Sequence, residues 1–311
     1  MITLILKRLA LAIPTLLAVS FIVFFSARLA PSSPVEIMLG EKATPDTVAR
    51  LKKQYGLDKP LLVQYARYVE GIMLHGDFGR SFSRGGQPVS EMIKTDFPVT
   101  AQLALTALAF ALLTGLPAGI FAALYQNSWF DRACMAVVVA LVSIPSIVLG
   151  PLLALVLAVH LHWLPVEGWD SPIYILLPAV TLGARSAALL ARFQRASLLE
   201  VLRQDYMRTA LAKGLSRAQA VRKHALKNAF LPVLTVIGTN FGALLSGSFV
   251  VETIFRVPGI GYESINSLTT RDYPIVQGMA LLVAAIFLLV NLGVDILYGV
   301  VDPRVRQEGT A

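Results

Sequence analysis

Five stretches of this chain run long enough without a charged residue to cross a bilayer: residues 9–27, 97–125, 133–159, 229–251 and 278–294. A hydrocarbon core of ~30 Å takes ~20 residues of helix, and each stretch is near or above that length. A sixth, 173–191, is apolar apart from Arg185. With 56% of residues apolar and 15% charged, the chain is too apolar for water to be its main solvent. The expected fold is all-α, a polytopic membrane protein with six transmembrane helices.

Charge placement says which ends share a side. Segment 193–228 carries eight Lys/Arg (Arg195, Arg203, Arg208, Lys213, Arg217, Arg222, Lys223, Lys227) against Glu200 and Asp205. Such loops stay in the cytoplasm. With six spans, Lys7 and Arg8, Arg132, and Arg304 with Arg306 fall on that same side, so both termini are expected to be cytoplasmic in a bacterial or archaeal inner membrane. A net charge of +8 in a soluble protein would suggest nucleic acid, but here the charges flank the spans and no nucleic-acid partner is expected. Segment 161–172 has Glu167 and Asp170 with no Lys/Arg, and 252–277 has three acids against Arg256 and Arg271, as suits outer loops. Segment 31–96 holds nine Lys/Arg and eight Asp/Glu, and long loops are translocated largely regardless of charge. The N-terminus imitates a signal peptide. Its apolar run is too long and lacks a small-residue cleavage site, so residues 1–30 read as a retained first helix.

Residues 31–96 are soluble in character and read as a small, mostly helical extracytoplasmic domain. A helix should start at Thr44-Pro45-Asp46, with Val48, Leu51 and Tyr55 on one face up to Gly56. A second should follow Pro60, with Leu61, Gln64, Tyr65, Tyr68 and Ile72 at helical intervals, before loops at Gly76, Gly79, Gly85 and Gly86. The insert is longer than a tether needs, which favours a cap over a pore mouth. Residues 97–311 would hold spans two to six.

The basic island Asp205 to Pro232 reads as two helices joined at a glycine. Asp205 can cap the first by accepting from free N–H groups, and Gly214 can end it, since only glycine enters the left-handed region without strain. Ser216 with Gln219 forms a capping box, so a second helix should run from Arg217 to about Phe230. Met207, Ala210 and Leu211 give the first helix a narrow apolar face that another protein could approach.

Within the spans, Ala107, Ala111, Gly115, Gly119 and Ala123 form one small-residue stripe, and Gly238, Gly242 and Ser246 another, which lets helices pack closely in lipid. Pro117, Pro145 and Pro151 should kink spans two and three. Thr235, Thr239 and Asn240 in span five, and Asn291 with Asp295 in span six, are costly facing lipid. They suit either a translocation path or hydrogen bonding between helices. His160 and His162 are two ligands at most and do not make a metal site. Cys134 is the single cysteine, so no intramolecular disulfide exists. No GxxxxGK[ST] loop or nucleophile constellation occurs, so no cofactor is expected and nucleotide hydrolysis should belong to other chains.

The island resembles the cytoplasmic EAA loop of ABC importer membrane subunits, through Thr209-Ala210, Gly214 and Leu231-Pro232. Arg208 stands about where that loop has its leading glutamate, and the glycine-to-proline gap is long, as in the oligopeptide/dipeptide/nickel permease branch. Likeness to the first of that branch's two permeases covers nearly the whole chain. It is carried by Tyr55-Gly56-Leu57-Asp58-Lys59-Pro60, Gly76-Asp77-Phe78-Gly79 with Ser81, and Glu252-Thr253-Ile254-Phe255 with Pro258-Gly259-Ile260-Gly261. Asp272-Tyr273-Pro274 with Gln277-Gly278, and Asp302-Pro303-Arg304, complete it.

The resemblance implies a pore half for peptides, with a second homologous permease, two ATP-binding subunits and an extracytoplasmic solute-binding protein as partners. It also implies that Asp205, Tyr206, Met207, Arg208, Thr209, Ala210, Leu211, Ala212, Lys213, Gly214 and Leu215 form the ATPase contact. Nickel chelates, glutathione-like peptides and oligosaccharides fit the same architecture. An ion-coupled carrier would need ionisable groups at mid-depth, and only Arg185 and Asp295 are charged within the spans.

Overall fold

A computed structural model describes residues 2–29, 35, 39, 44–54, 56–246 and 248–301. Tyr55 and Asp302-Pro303-Arg304 lie outside the described residues, as does the side chain of Ser246. Among the described residues there is no strand, only an isolated antiparallel bridge between Arg80 and Pro88.

Helix α1 (Ile2–Leu29) leads into the insert, where α2 (Pro45–Gln54) and α3 (Leu61–Glu70) start at the two proline signals. A single π turn, Gly71–His75, extends α3 to Gly76, whose φ is +62°. Helix α4 (Val89–Leu124) begins before the uncharged run does. Val89, Met92, Ile93 and Phe97 keep an apolar face, while Glu91 and Lys94 turn outward. Helical periodicity thus outlasts the uncharged run that marks the span.

The expected third span is broken. Helix α5 (Trp129–Ser143) and α6 (Ser146–Leu153), continued by a π turn to His160, meet at 111°. Pro145 forces its predecessor out of the α region, and Ile144 sits at φ −84°, ψ 118°. Pro117 and Pro151, by contrast, are accommodated inside α4 and α6. Among the described residues, five helices are therefore long and apolar enough to cross a membrane, or six if the bent pair is one span.

Helix α7 (Leu176–Leu202), entered through a 3-10 turn at Pro172–Ile175, is the most buried of the candidate spans. It lies against α4 along the small-residue stripe. A Cβ on Gly115 or Gly119 would come within 2.4 Å of the carbonyl oxygen of Ala187 or Ala191, so only glycine permits this spacing. On the other side, α8 (Asp205–Ala212), α9 (Arg217–Ala220), a π turn (Val221–Ala225) and α10 (Leu226–Ser246) follow. Gly238 packs on Val294, and Gly242 on Phe287 and Val290, of the final helix α13 (Tyr273–Val301).

Between them, α11 (Phe249–Phe255) and α12 (Ile260–Thr269) form a clamp around Glu252, which is fully buried. Oε1 accepts from Thr100 Oγ1 (2.8 Å) and Ser248 Oγ (2.5 Å), and Oε2 from the N–H of Gly261 (2.7 Å) and Tyr262 (3.0 Å). A carboxylate thus occupies the free N–H groups at the start of α12. A Cβ on Gly259 would lie 2.4 Å from Thr100 Oγ1, so the glycine is required for contact.

A second buried carboxylate, Asp272, ties the insert to this clamp. Its Oδ2 accepts from Ser81 Oγ (2.6 Å), Ser83 N–H (2.8 Å) and Ser83 Oγ (2.7 Å). Arg84 pairs beside it with Glu263 at 2.5 Å. Burial pushes the Glu263 carboxyl up, against the pull of Arg84 and the Ser267 hydroxyl. Several of the motifs carrying the family resemblance therefore meet here as one polar clasp.

Candidate functional site

The basic island folds as a hairpin of helices under the ends of α4 and α7. Helix α8 is stopped by a complete Schellman motif. The Gly214 N–H donates to the Leu211 carbonyl (2.9 Å) and the Leu215 N–H to that of Ala210 (3.3 Å), with Gly214 at φ +86°. The capping box follows at once, Gln219 N–H donating to Ser216 Oγ (3.3 Å) and Ser216 N–H to Gln219 Oε1 (3.0 Å).

Asp205 does not cap. Gln204 holds the cap position in an extended conformation, and Asp205 lies in the first turn with Arg208 at 3.4 Å. There its charge faces the positive end of the helix dipole without a side-chain bond to the backbone. The apolar face divides differently from the sequence expectation too. Met207 and Ala210 are buried against Ala123, Leu198, Ala220 and Val221, with Leu215 packed beside them. They hold α8 onto its own chain. Tyr206, Arg208, Thr209, Leu211, Ala212 and Lys213 remain exposed, with Leu211 at 45%. Tyr206 also accepts a hydrogen bond from Asn228 Nδ2 at 3.1 Å, which links the two arms.

Nor does the second arm end at Phe230. It runs as one helix through Leu231-Pro232 into α10, interrupted only by the π turn at Val221–Ala225. Pro232 lacks an N–H, but a proline within a long helix packed on neighbours is tolerated. The arm that begins at Arg217, directly after the turn that ends α8, is therefore continuous with a span.

An ion pair absent from the sequence reading braces the same end. Arg195 donates from Nε to Asp131 Oδ1 (2.6 Å) and from Nη2 to Oδ2 (2.7 Å), joining the start of α5 to the end of α7 across 64 residues. Asp131 is buried and also accepts from the Asn127 N–H at 2.9 Å. Its sequence signal is weak, since Arg195 counts there only as one of eight positive charges.

The polar span residues do not come together. Asp295 pairs with Arg8 of α1 at 2.8 Å, and Asn291 lies with them along a groove between α1 and α13. Asn240 donates to the Val236 carbonyl (2.7 Å) and accepts from Ser186 of α7 (3.3 Å). Thr239 is exposed on α10 and donates to the carbonyls of Thr235 and Val236. His160 and His162 bond to the carbonyls of Leu155 and His160.

Comparison with known proteins agrees in extent with this architecture. Residues 115–307 match the family described as binding-protein-dependent transport system inner membrane component, and residues 1–104 match its N-terminal component. The glutathione transport system permease protein GsiC of Salmonella paratyphi A is 45% identical over 309 residues, covering 99% of this chain and 100% of that protein. Its Escherichia coli counterpart is 43% identical over the same spans. Among solved structures, the inward-facing MetNI methionine ABC transporter aligns over 68% of this chain and 97% of its own at a TM-score of 0.57, with 19% identity. An amino acid ABC transporter crystallised with histidines reaches 0.51 over 69% and 94%. These two share the fold. The chain belongs to the binding-protein-dependent transport system inner membrane component family and is a multi-pass membrane permease subunit of an ABC importer.

Proposed function

We propose that this subunit forms half of a pore for small peptides and that residues 205–215 receive the closing movement of cytoplasmic ATPases. The observation that carries the reading is the α8–α10 arrangement: a short helix with a Schellman stop and an exposed outer face, packed on α4 and α7 and joined by a capped turn to an arm that is continuous with a span. A short capped helix transmits rigid-body motion, whereas a loop would absorb it. Coupling then requires that α8 contact the ATPases differently in the two pore states.

The implied assembly has a second homologous permease, two ATP-binding subunits and an extracytoplasmic binding protein, with the basic end in the cytoplasm. The insert, residues 31–96 in outline, would cap the outer mouth with the Glu252 and Asp272 clasp beneath it. The solute path would follow the exposed face of α10 that bears Thr239. Relatives named for glutathione transport support a glutathione-like tripeptide as substrate, over a nickel chelate or an oligosaccharide.

Proteoliposomes carrying the complete importer should take up glutathione only with ATP, loaded binding protein and both ATPases present. Uptake by the permeases without the ATPases, driven by an ion gradient, would instead establish a secondary carrier.

A further inference from the structure

Arg185 is out of place in α7. Every residue from Leu177 to Ala191 in this helix is buried or half-buried except Arg185, which is exposed. It lies inside the apolar run 173–191, about 18 Å from the outer end of that run and about 9 Å from the end that leads into the basic segment. Its guanidinium makes no hydrogen bond and no ion pair with any described residue, and a charge so placed is costly against lipid.

The helix geometry fixes what Arg185 faces. Gly183, Ala187 and Ala191 meet α4, Ser186 meets Asn240 of α10, and Ala188 meets Val138 of α5. Arg185 points away from the α4 seam, next to the level of Asn240 and the exposed Thr239. Arg192 and Arg203 recur on that open side, seven and eighteen residues on by their numbers. Arg192 lies over the Phe193 ring at 5.6 Å, and neither has an acidic partner among the described residues. The nearby carboxylates Asp131, Asp205 and Asp295 are engaged by Arg195, Arg208 and Arg8. Glu200 is exposed and pairs with none of the three arginines. The open face of α7 is thus a row of guanidinium groups without an acidic partner among the described residues, running from within the apolar run to the basic end.

We propose that Arg185 binds a substrate carboxylate within the solute path, and that Arg192 and Arg203 continue a positive row along which an anionic peptide leaves. Guanidinium matches carboxylate by paired hydrogen bonds, and the bond is strengthened where water is scarce. This rests on the peptide-importer reading and adds a preference of the pore itself, separate from that of the binding protein.

The test uses the complete importer in proteoliposomes, offered glutathione, Ala-Glu-Ala and Ala-Ala-Ala at equal concentration, with internal peptides counted by mass spectrometry. Arg185→Gln should lower entry of glutathione and Ala-Glu-Ala, each with two carboxylates, about tenfold, and that of Ala-Ala-Ala less. Arg185→Lys, which keeps the charge but not the paired hydrogen bonds, should restore only part of it. If Arg185→Gln does not insert, Arg192→Gln should show the same selective loss. An equal loss of all three peptides, or no loss, overturns the proposal and leaves the importer reading standing. Wild-type importer that admits none of the three peptides overturns both.

Discussion

Glu252 accepts four hydrogen bonds from three separate segments. Glu252→Ala should therefore take the acceptor from two backbone N–H groups and from the hydroxyls of Thr100 and Ser248, destabilising the subunit by about 2–4 kcal/mol. A fall in its melting temperature in detergent would register this. An unchanged midpoint would mean that the clasp contributes little. Glu263 supplies a pH test. Its folded value is raised, so its contribution to stability is fully present below the ordinary glutamate value of about 4.3 and is lost as pH rises through the folded value. Arg84 limits that loss by favouring the charged form. Arg84→Gln should match wild type near pH 4 and fall progressively below it towards pH 7 in the same melting assay. A deficit independent of pH would assign Arg84 a packing role only.

At the scale of elements, what could be read from sequence was whatever lies within a few residues: the proline starts of α2 and α3, the Gly214 stop and the Ser216–Gln219 box. Their signals are local backbone chemistry, and the structure realises each. The small-residue stripe of α4 was legible as a packing face, though not its partner. Close approach at Gly115 and Gly119 selects α7 through the shape of both helices. Gly119→Leu should force the pair apart, since the new side chain would meet the Ala191 carbonyl and the Gln194 side chain, costing at least ~1–3 kcal/mol. Loss of the folded subunit from membranes, with Gly242→Ala tolerated because its space is looser, is the expected pattern. The bend at Pro145 was visible as a kink, but its 111° angle depends on what α6 packs against, namely α7 and α11. Asp131 with Arg195 and Asp295 with Arg8 had no local signal, because each pair joins distant parts of the chain.

The whole molecule can be divided into two polar ends joined by tightly packed spans. At one, Glu252 and Asp272 gather the insert, α4, α11 and α12. At the other, Met207 and Ala210 hold α8 onto α4 and α7 while its outer face stays free. In the proposed coupling, this free helix carries ATPase movement into α10. Gly214 isolates it, because a Cβ there meets nothing within 4 Å and only its φ of +86° excludes other residues. Valine at that position would strain the turn by roughly 1–2 kcal/mol or more and should displace the Schellman stop without disturbing the spans. The most direct measurement is ATP hydrolysis stimulated by loaded binding protein in proteoliposomes bearing Gly214→Val. Stimulation should be largely lost while the variant inserts and assembles as wild type does. Full stimulation in a correctly inserted Gly214→Val importer would show that α8 does not couple the ATPases to α10.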